Sequence, residues 1–209
     1  MKNKTVDLVN LWHGFEKNNP DGEIVDFCRQ VLSESVAQRT DEANEKIPLD
    51  GRLARSIGRL SRFAQFYSRR ELAELGLKNL DDFTYLQTLS QLNNPKKSAL
   101  IEENISEFST GSEIIKRLTR QGLVKEYPDR EDGRSKRLAL TAEGKKTLAR
   151  CYARMQALAG MLFTNMAESD KWLAYELLQP LDFLHTTAYR QARTKGMEKI
   201  KEALGYTAG

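Results

Sequence analysis

Hydroxyl and cationic side chains are concentrated in one short stretch near the middle of the chain. Ser109, Thr110 and Ser112 come first, and Lys116 and Arg117 follow within two turns of a helix. Hydroxyls near the start of a helix can hydrogen-bond to base edges or phosphates, and longer cations further along can bind phosphate oxygens. The stretch is therefore a candidate DNA-binding surface. For the two cations, an ordinary solvated helix face is the alternative.

Three short helices are predicted to position this stretch. Apolar residues recur at helical spacing over 80–92, 96–104 and 107–121, and an Asn-Asn-Pro turn separates the first two. Ser106 is predicted to cap the third helix, and Gly122 to end it in the left-handed conformation. Two short helices followed by a third of this kind form a helix-turn-helix, whose last helix can enter a major groove about 12 Å wide.

A charged β-hairpin is predicted directly after the third helix. Residues 123–127 and 136–140 have the composition of strands, and Gly133 permits a tight bend in the polar loop 128–135 between them. Thr141 is a suitable N-cap for the helix that follows. A helix-turn-helix with a charged hairpin is a winged helix, so the sequence predicts a mostly α fold with a small β-hairpin wing.

The string that begins at Gly122, GLVKEYPDREDGRSKRLALTAEG, resembles the wing signature of the MarR family of bacterial transcriptional regulators. The matching elements are Gly122-Leu123-Val124, Asp132-Gly133-Arg134 and Leu140-Thr141-Ala142-Glu143-Gly144. The match is strong over about residues 106–145, and over 51–195 the order of helices is the one the family shows. The first 50 residues lie outside the usual family core and form an atypical N-terminal extension.

The resemblance implies a cytoplasmic, sequence-specific DNA-binding transcriptional regulator, with repression the expected mode. Such a regulator acts as a homodimer on a pseudo-palindromic operator, because a two-fold dimer places two recognition helices about 34 Å apart. The family often binds small aromatic or phenolic compounds, so an effector of that class could release the protein from DNA. The implied partners are double-stranded DNA and a second copy, with no cofactor and no membrane.

The resemblance also gives roles to individual residues. In the family the wing arginine reads a minor groove, which here falls on Arg134, and the neighbouring aspartate commonly helps to hold it, which falls on Asp132. Lys136, on the second strand, belongs to the same DNA-binding set. Lys97 and Ser98 could add a phosphate contact from the start of the preceding helix. A plain solvated hairpin is the alternative for the wing residues.

Two residues of the recognition helix depart from this pattern. Glu113 stands where many relatives have a basic or neutral polar residue; a carboxylate repels phosphates, although it can accept a hydrogen bond from a cytosine amino group. Gly111 in mid-helix costs about 1 kcal/mol relative to Ala. Glu113 therefore belongs to the candidate DNA contacts but also favours an alternative, a winged helix used for protein contacts with little DNA affinity. The operator sequence is not predicted.

Amphipathic helices flank the predicted winged helix and are expected to form the homodimer. One has apolar residues at heptad-like spacing from Leu53, and two more are predicted over 142–165 and 170–195. The predicted organisation is an N-terminal helical hairpin with a linker, a first dimerisation helix, the DNA-binding domain, C-terminal dimerisation helices and a tail. These segments span 1–50, 51–79, 80–141, 142–195 and 196–209.

The charge of the 209-residue chain is unevenly distributed. The formal net charge is +4, but residues 1–50 contain 6 basic and 10 acidic side chains, whereas 51–209 contain 27 and 19. A basic body is compatible with a polyanion partner. The first dimerisation helix carries a stripe of arginines at Arg52, Arg55, Arg59, Arg62 and Arg69. This stripe is interpreted as a solvated face, with phosphate or an acidic patch on a partner as the alternative ligand.

Other classes of protein are not supported. Cys28 and Cys151 are too few for a disulfide framework, and each is expected to be an inert buried thiol. His13 and His185 lack the spacing of a zinc site. The sequence contains no Gly-rich phosphate loop, nucleophile elbow or catalytic His–Asp pattern, so enzyme activity is not expected. No apolar run approaches the roughly 20 residues of a membrane-spanning helix.

Overall fold

The computed structural model describes residues 3–37, 47–129 and 135–207. In these ranges the elements are α1 Lys4–Asn18, α2 Ile24–Ala37, α3 Leu49–Ala73, α4 Leu80–Gln91, α5 Lys97–Glu103, α6 Phe108–Arg120, β1 Val124–Pro128, β2 Lys136–Leu140, α7 Ala142–Leu162, α8 Glu168–Ala192 and α9 Met197–Ala203. The chain divides into two compact units, residues 1–57 and 58–209. None of the described helices combines the length and apolarity that a membrane crossing requires.

The first unit is built around the pair α1 and α2. Asn3 caps α1, because its side-chain oxygen accepts the Thr5 N–H at 3.2 Å. Phe15 and Phe27 are buried between the helices with ring centroids 5.6 Å apart. Trp12 packs edge-on against Phe27 at 5.2 Å. Aromatic contacts of this kind contribute beyond the area they bury, and three rings hold the pair together here.

The second unit has one apolar core, formed where the end of α3, the three short helices, the hairpin and α7 meet. Its most deeply buried members are Leu72, Leu77, Tyr85, Leu86, Leu100, Ile101, Ile115, Leu118, Leu138 and Cys151. Every one of these elements therefore contributes at least one side chain that is removed from water. The mostly α fold with a small hairpin, predicted from the sequence, is confirmed.

The hairpin forms at the predicted place, with β2 at the predicted 136–140 and β1 one residue later than the predicted 123–127. β1 and β2 are antiparallel, with Val124 opposite Leu140 and Pro128 opposite Lys136. Leu138 points into the core from β2 and is fully buried. Thr141 closes the hairpin onto α7, because its hydroxyl oxygen accepts the Gly144 N–H at 2.9 Å. The predicted N-cap at Thr141 is confirmed, and α6 is followed by Gly122 at the predicted left-handed angle, φ 71°.

The predicted cap at Ser106 is wrong. Glu107 precedes α6 and makes no side-chain capping bond. Ser106 belongs instead to the end of α5: Ile105 is left-handed at φ 49°, and the Ser106 N–H donates to the Ile101 carbonyl oxygen at 3.2 Å. This is the hydrogen-bond pattern of a Schellman C-cap. The Ser106 hydroxyl is therefore near the Asn104 carbonyl, to which it donates at 3.2 Å.

The long C-terminal helices differ from the predictions at their ends. α7 stops at Leu162 rather than 165, and α8 covers Glu168–Ala192 rather than 170–195. The predicted tail contains a further short helix, α9, which begins after Gly196 at φ 87°. The buried Ala188 and Ala192 allow the end of α8 to approach its neighbours closely.

Candidate nucleic-acid interface

The polar and apolar faces of α6 are sharply separated. Gly111, Ile114, Ile115 and Leu118 are buried in the core. The opposite side exposes a row of polar and charged side chains: Ser109, Thr110, Glu113, Lys116 and Arg120. We call this row the α6 stripe. It is the part of α6 that a major groove could contact.

Ser112 does not belong to the α6 stripe. Its hydroxyl oxygen is buried and has no hydrogen-bond partner among the described residues. The reason is angular: Ser112 lies three residues before the buried Ile115, so it falls at the edge of the apolar face. A base edge cannot reach this hydroxyl in the present geometry.

Glu113 and Lys116 are neighbours on the α6 stripe. The Lys116 Nζ lies 3.7 Å from a Glu113 carboxylate oxygen, and both side chains are more than half exposed. An exposed pair of this kind stabilises the helix by less than about 1 kcal/mol. Its larger effect is electrostatic, because the carboxylate offsets the positive charge that Lys116 would present to a phosphate.

Arg117 lies on the flank of α6 and binds a carboxylate of the protein. Its Nε donates to Asp82 Oδ1 at 3.1 Å and to Oδ2 at 3.3 Å, and its terminal nitrogen also contacts Oδ1. Asp82 is completely buried and accepts a further bond from the Lys78 N–H at 2.7 Å. Arg117 thus joins α6 to the start of α4, a partner different from the phosphate expected from the sequence.

Glycine at position 111 is required by the close approach of α6 to its neighbours. A Cβ there would lie 2.5 Å from Tyr85 Oη and 2.7 Å from Ile101 Cγ1. Both distances are shorter than side-chain carbons tolerate, so a larger residue would push α6 away from α4 and α5. The helix-propensity cost of Gly111 is the consequence of this contact.

A second buried carboxylate fixes the base of the hairpin. Asp129, directly after β1, accepts from Arg137 Nε at 2.7 Å, and its side chain is 1% exposed. Arg137 also donates to the Asn94 carbonyl oxygen at 3.0 Å, and Lys96 Nζ lies 3.9 Å from Asp129. The hairpin is therefore joined to the turn between α4 and α5.

The remaining predicted DNA contacts lie near the ion pairs of Asp129 or in parts of the chain that the structure does not describe. Lys97 and Ser98 occupy the first turn of α5, next to Lys96, and Ser98 is exposed. Lys136 is exposed on β2 and pairs with Glu126 at 2.9 Å. Asp132 and Arg134 lie outside the described residues.

The two thiols differ in their surroundings. Cys151 is buried in the core, and that burial raises the pKa of its thiol. The expectation of a buried thiol is wrong for Cys28, which is exposed. The neighbouring Phe27 is the residue that faces α1, and one step along a helix turns Cys28 about 100° away from that face.

Comparison with known proteins identifies the fold. Residues 77–144 match a family described as the winged helix DNA-binding domain. The MarR protein from Peptoclostridium difficile superposes with a TM-score of 0.64 at 20% identity, covering 73% of this chain and 99% of that one. The chain has the MarR-family fold. No match was found among curated proteins.

Two further MarR-fold structures are similar at the same level. The transcriptional regulator SlyA gives a TM-score of 0.60 at 20% identity, with 66% of this chain and 96% of that one covered. A cysteine-to-serine mutant of MarR from E. coli, complexed with operator DNA, gives 0.59 at 21% identity, with 68% and 99% covered. Each of these relatives is covered almost completely, whereas about a third of this chain has no counterpart in them.

The residues that hold the elements of this candidate interface together were not identified from the sequence. Asp82, Asp129 and Arg137 were not among the predicted site residues, although all three determine where α6 and the hairpin lie. A local signal existed for Asp82, because it stands three residues after Asn79, whose side chain accepts the Asp82 N–H at 3.3 Å in a capping arrangement. No local signal identifies Arg117, the distant residue that neutralises the charge of Asp82.

Proposed function

We propose that the protein is a MarR-family transcriptional regulator, acting as a repressor, that binds a pseudo-palindromic operator as a homodimer. The observation that carries this proposal is the α6 stripe, exposed on a helix that the ion pair between Arg117 and the buried Asp82 joins to α4. Ser109 and Thr110 at the start of α6 contact base edges, and Lys116 contacts phosphate. Arg134 reads the minor groove from the wing.

Unpaired apolar surface on the flanking helices supports the homodimer. α8 exposes large side chains at Trp172, Tyr175, Leu177, Leu181 and Phe183, each at least half exposed in the single chain. Trp172, Tyr175 and Phe183 fall within about 80° of one another around the helix, and an exposed apolar face of this kind marks an interaction site. Sedimentation analysis at micromolar concentration should give twice the mass of one chain, and a stable monomer would contradict the homodimer.

A salt titration tests the DNA-binding proposal. Anisotropy of a labelled duplex from the protein's own upstream promoter should show affinity that falls steeply with salt, because binding releases counterions from phosphates. Lys116→Ala should lower the magnitude of the log–log salt slope by about one. Lys171→Ala is the matched control, since Lys171 forms an equivalent i,i+3 pair with Glu168 on α8 at 3.3 Å. Arg134→Ala should remove most of the affinity.

A protein-binding winged helix is the second candidate, and Glu113 is the observation that favours it. Its carboxylate stands at the centre of the α6 stripe and offsets the charge of Lys116. If the protein has this function, the titration gives weak DNA binding with a shallow salt slope, and Arg134→Ala leaves the DNA affinity unchanged. The two functions therefore predict opposite results in the same assay.

We further propose that an anionic aromatic compound releases the protein from DNA. A groove between α4, the hairpin and α7 has an apolar floor that includes Leu148 and Tyr152, with Lys125 and Lys145 at its edge. Aromatic rings suit the floor and a carboxylate suits the two ammonium groups. PcaV from Streptomyces coelicolor, which has the same fold, was solved with its natural ligand. Phenolic acids should weaken promoter binding in the wild type and not in Lys125→Ala/Lys145→Ala.

A further inference from the structure

The pair α1 and α2 has an open groove between its helices. The groove floor is apolar, with Leu11 and Phe15 from α1 and Phe27 and Val31 from α2. Its rim is polar, and on the α2 side it includes Glu34, whose carboxylate accepts from Gln30 at 2.9 Å. An apolar floor with a polar rim between two helices has the form of a site for a third helix.

The pair also has too little core of its own. Phe15 and Phe27 are its only buried apolar side chains among the described residues. Several large side chains are more than half exposed: Val6, Leu8, Val9, Leu11, Ile24, Val25 and Leu32. A unit of this size buries too small a fraction of its surface to be stable alone, so a further element is needed to cover it.

The charge of the pair indicates the chemistry of that element. Residues 3–37 contain six acidic and three basic side chains. The matching helix should therefore combine an apolar row with positive charges beside it. Electrostatic complementarity of this kind selects the partner and its orientation more than it adds affinity.

The first half of α3 has this pattern. Leu53, Ile57 and Leu60 follow one another at spacings of four and three, and all three are more than two-fifths exposed in the single chain. Arg55, Arg59 and Arg62 lie exposed along the same helix and have no ion-pair partner among the described residues. Arg59 lies over the Phe63 ring at 5.6 Å, which leaves its charge available for a carboxylate.

We propose that the groove between α1 and α2 of one chain receives the first half of α3 from a second copy, which completes a three-helix packing. The apolar row of α3 enters the groove, and its arginines contact Glu34 on the polar rim. The N-terminal extension thus strengthens the homodimer by an exchange of helices between the two copies. This contact lies outside the winged helix and does not depend on whether the protein binds DNA.

Cross-linking between two distinguishable chains tests this contact. Both chains carry Cys28→Ser, which removes the exposed thiol. The first chain also carries Leu11→Cys and a mass tag, and the second chain carries Ile57→Cys. After the subunits are mixed, a short bifunctional thiol reagent should join the tagged chain to the untagged one. Val9→Cys is the matched control, because Val9 is 58% and Leu11 53% exposed but Val9 lies about 200° round the helix.

Each result has a defined meaning. A cross-link yield from position 11 that exceeds the yield from position 9 supports the proposal. A yield from position 11 that falls with Glu34→Lys and stays the same with Glu16→Lys supports it as well.

A further variant carries Leu11→Cys and Ile57→Cys in the same chain. If this variant cross-links within its own chain while the mixed chains do not cross-link, the exchange between copies is overturned. Equal yields from positions 9 and 11 overturn the groove. If Arg55→Glu with Arg59→Glu weakens DNA binding and leaves the cross-link unchanged, the arginines face nucleic acid and the proposal is wrong.

Discussion

Arg117 Nε lies 3.1 Å from Oδ1 of Asp82, a carboxylate that is completely buried at the start of α4. The two residues are 35 positions apart in the chain. A helix that reads base edges must be held at a fixed distance and rotation relative to the rest of its domain. This pair supplies both constraints, because the planar guanidinium contacts the two carboxylate oxygens from one side of α6.

Removal of Arg117 should destabilise the fold strongly. Arg117→Ala leaves Asp82 as a buried, uncompensated charge, which costs about 3–5 kcal/mol. Urea unfolding followed by circular dichroism should show this as a lower midpoint. Replacement of both partners, Asp82→Leu with Arg117→Met, should recover much of the loss, because an apolar pair leaves no unpaired charge.

The same pair of variants distinguishes two roles for Arg117. If Arg117 only positions α6, the double replacement should restore DNA affinity together with stability. If the guanidinium contacts phosphate, as the sequence predicted, the double replacement should regain stability and still bind DNA weakly. Lys116→Ala serves as the reference, since Lys116 is exposed and its loss should not alter the free energy of unfolding by more than about 0.5 kcal/mol.

The base of the hairpin should depend on Arg137 and not on its neighbour Lys136. Arg137→Ala removes the hydrogen bond that Arg137 Nε donates to the buried Asp129 at 2.7 Å, and the loss of a charge-assisted bond should cost about 1.5–3 kcal/mol. Lys136→Ala breaks only an exposed pair with Glu126 and should cost less than about 1 kcal/mol. Amide hydrogen exchange in β1 and β2 should accelerate in the first variant alone. Equal exchange in both would contradict the assigned role of Arg137.

Alanine at two helical glycines should have effects of opposite sign. Gly111→Ala places a methyl group 2.5 Å from Tyr85 Oη, so steric displacement of α6 should outweigh the gain in helix propensity. Gly160→Ala, in α7, meets nothing within 4 Å and should stabilise the protein by about 0.5–1 kcal/mol. Thermal unfolding of the two variants gives the comparison, and a stabilised Gly111→Ala would contradict the close packing of α6 on α4 and α5.

Local chemistry explains which parts of the fold could be predicted from the sequence. The stop at Gly122 and the cap at Thr141 each depend on one residue and its immediate neighbours, so the winged helix could be located from its own stretch of sequence. The cap assigned to Ser106 failed because the same residue type also serves at helix C-termini, and the left-handed Ile105 decides between the two. A β-branched residue in that conformation is uncommon and carries no sequence signal.

The candidate site was less predictable because the ion pairs that hold α6 and the hairpin in place join residues from different elements. The α6 stripe follows from helical periodicity, but the need for glycine at position 111 depends on how closely α6 approaches α4 and α5. The partner of Arg117 lies in another helix, and the sequence contains several acidic residues that could have taken that place. Ion pairs across such separations are determined by tertiary packing and not by spacing along the chain.

Neutralisation of Glu113 should increase affinity for DNA of any sequence. Glu113→Gln removes from the α6 stripe a negative charge that lies 3.7 Å from Lys116 Nζ and repels the phosphates that Lys116 contacts. Non-specific affinity at low salt should rise several-fold, and the log–log salt slope should become steeper by about one. If affinity for the promoter falls while affinity for random duplex rises, Glu113 reads a base, which is the result expected of a cytosine contact.

The two thiols should react at very different rates. Exposed Cys28 should be modified by a thiol reagent within minutes, whereas Cys151 should react only on unfolding, because burial raises the pKa of its thiol. Since that pKa lies above its unfolded value, the contribution of Cys151 to stability is complete below the ordinary thiol pKa of about 8.5 and declines as the pH rises past it. Urea midpoints should therefore fall more steeply above this pH in the wild type than in Cys151→Ala, and Cys28→Ser should follow the wild type. A Cys151 that reacts as fast as Cys28 at neutral pH would show that the core opens around α7.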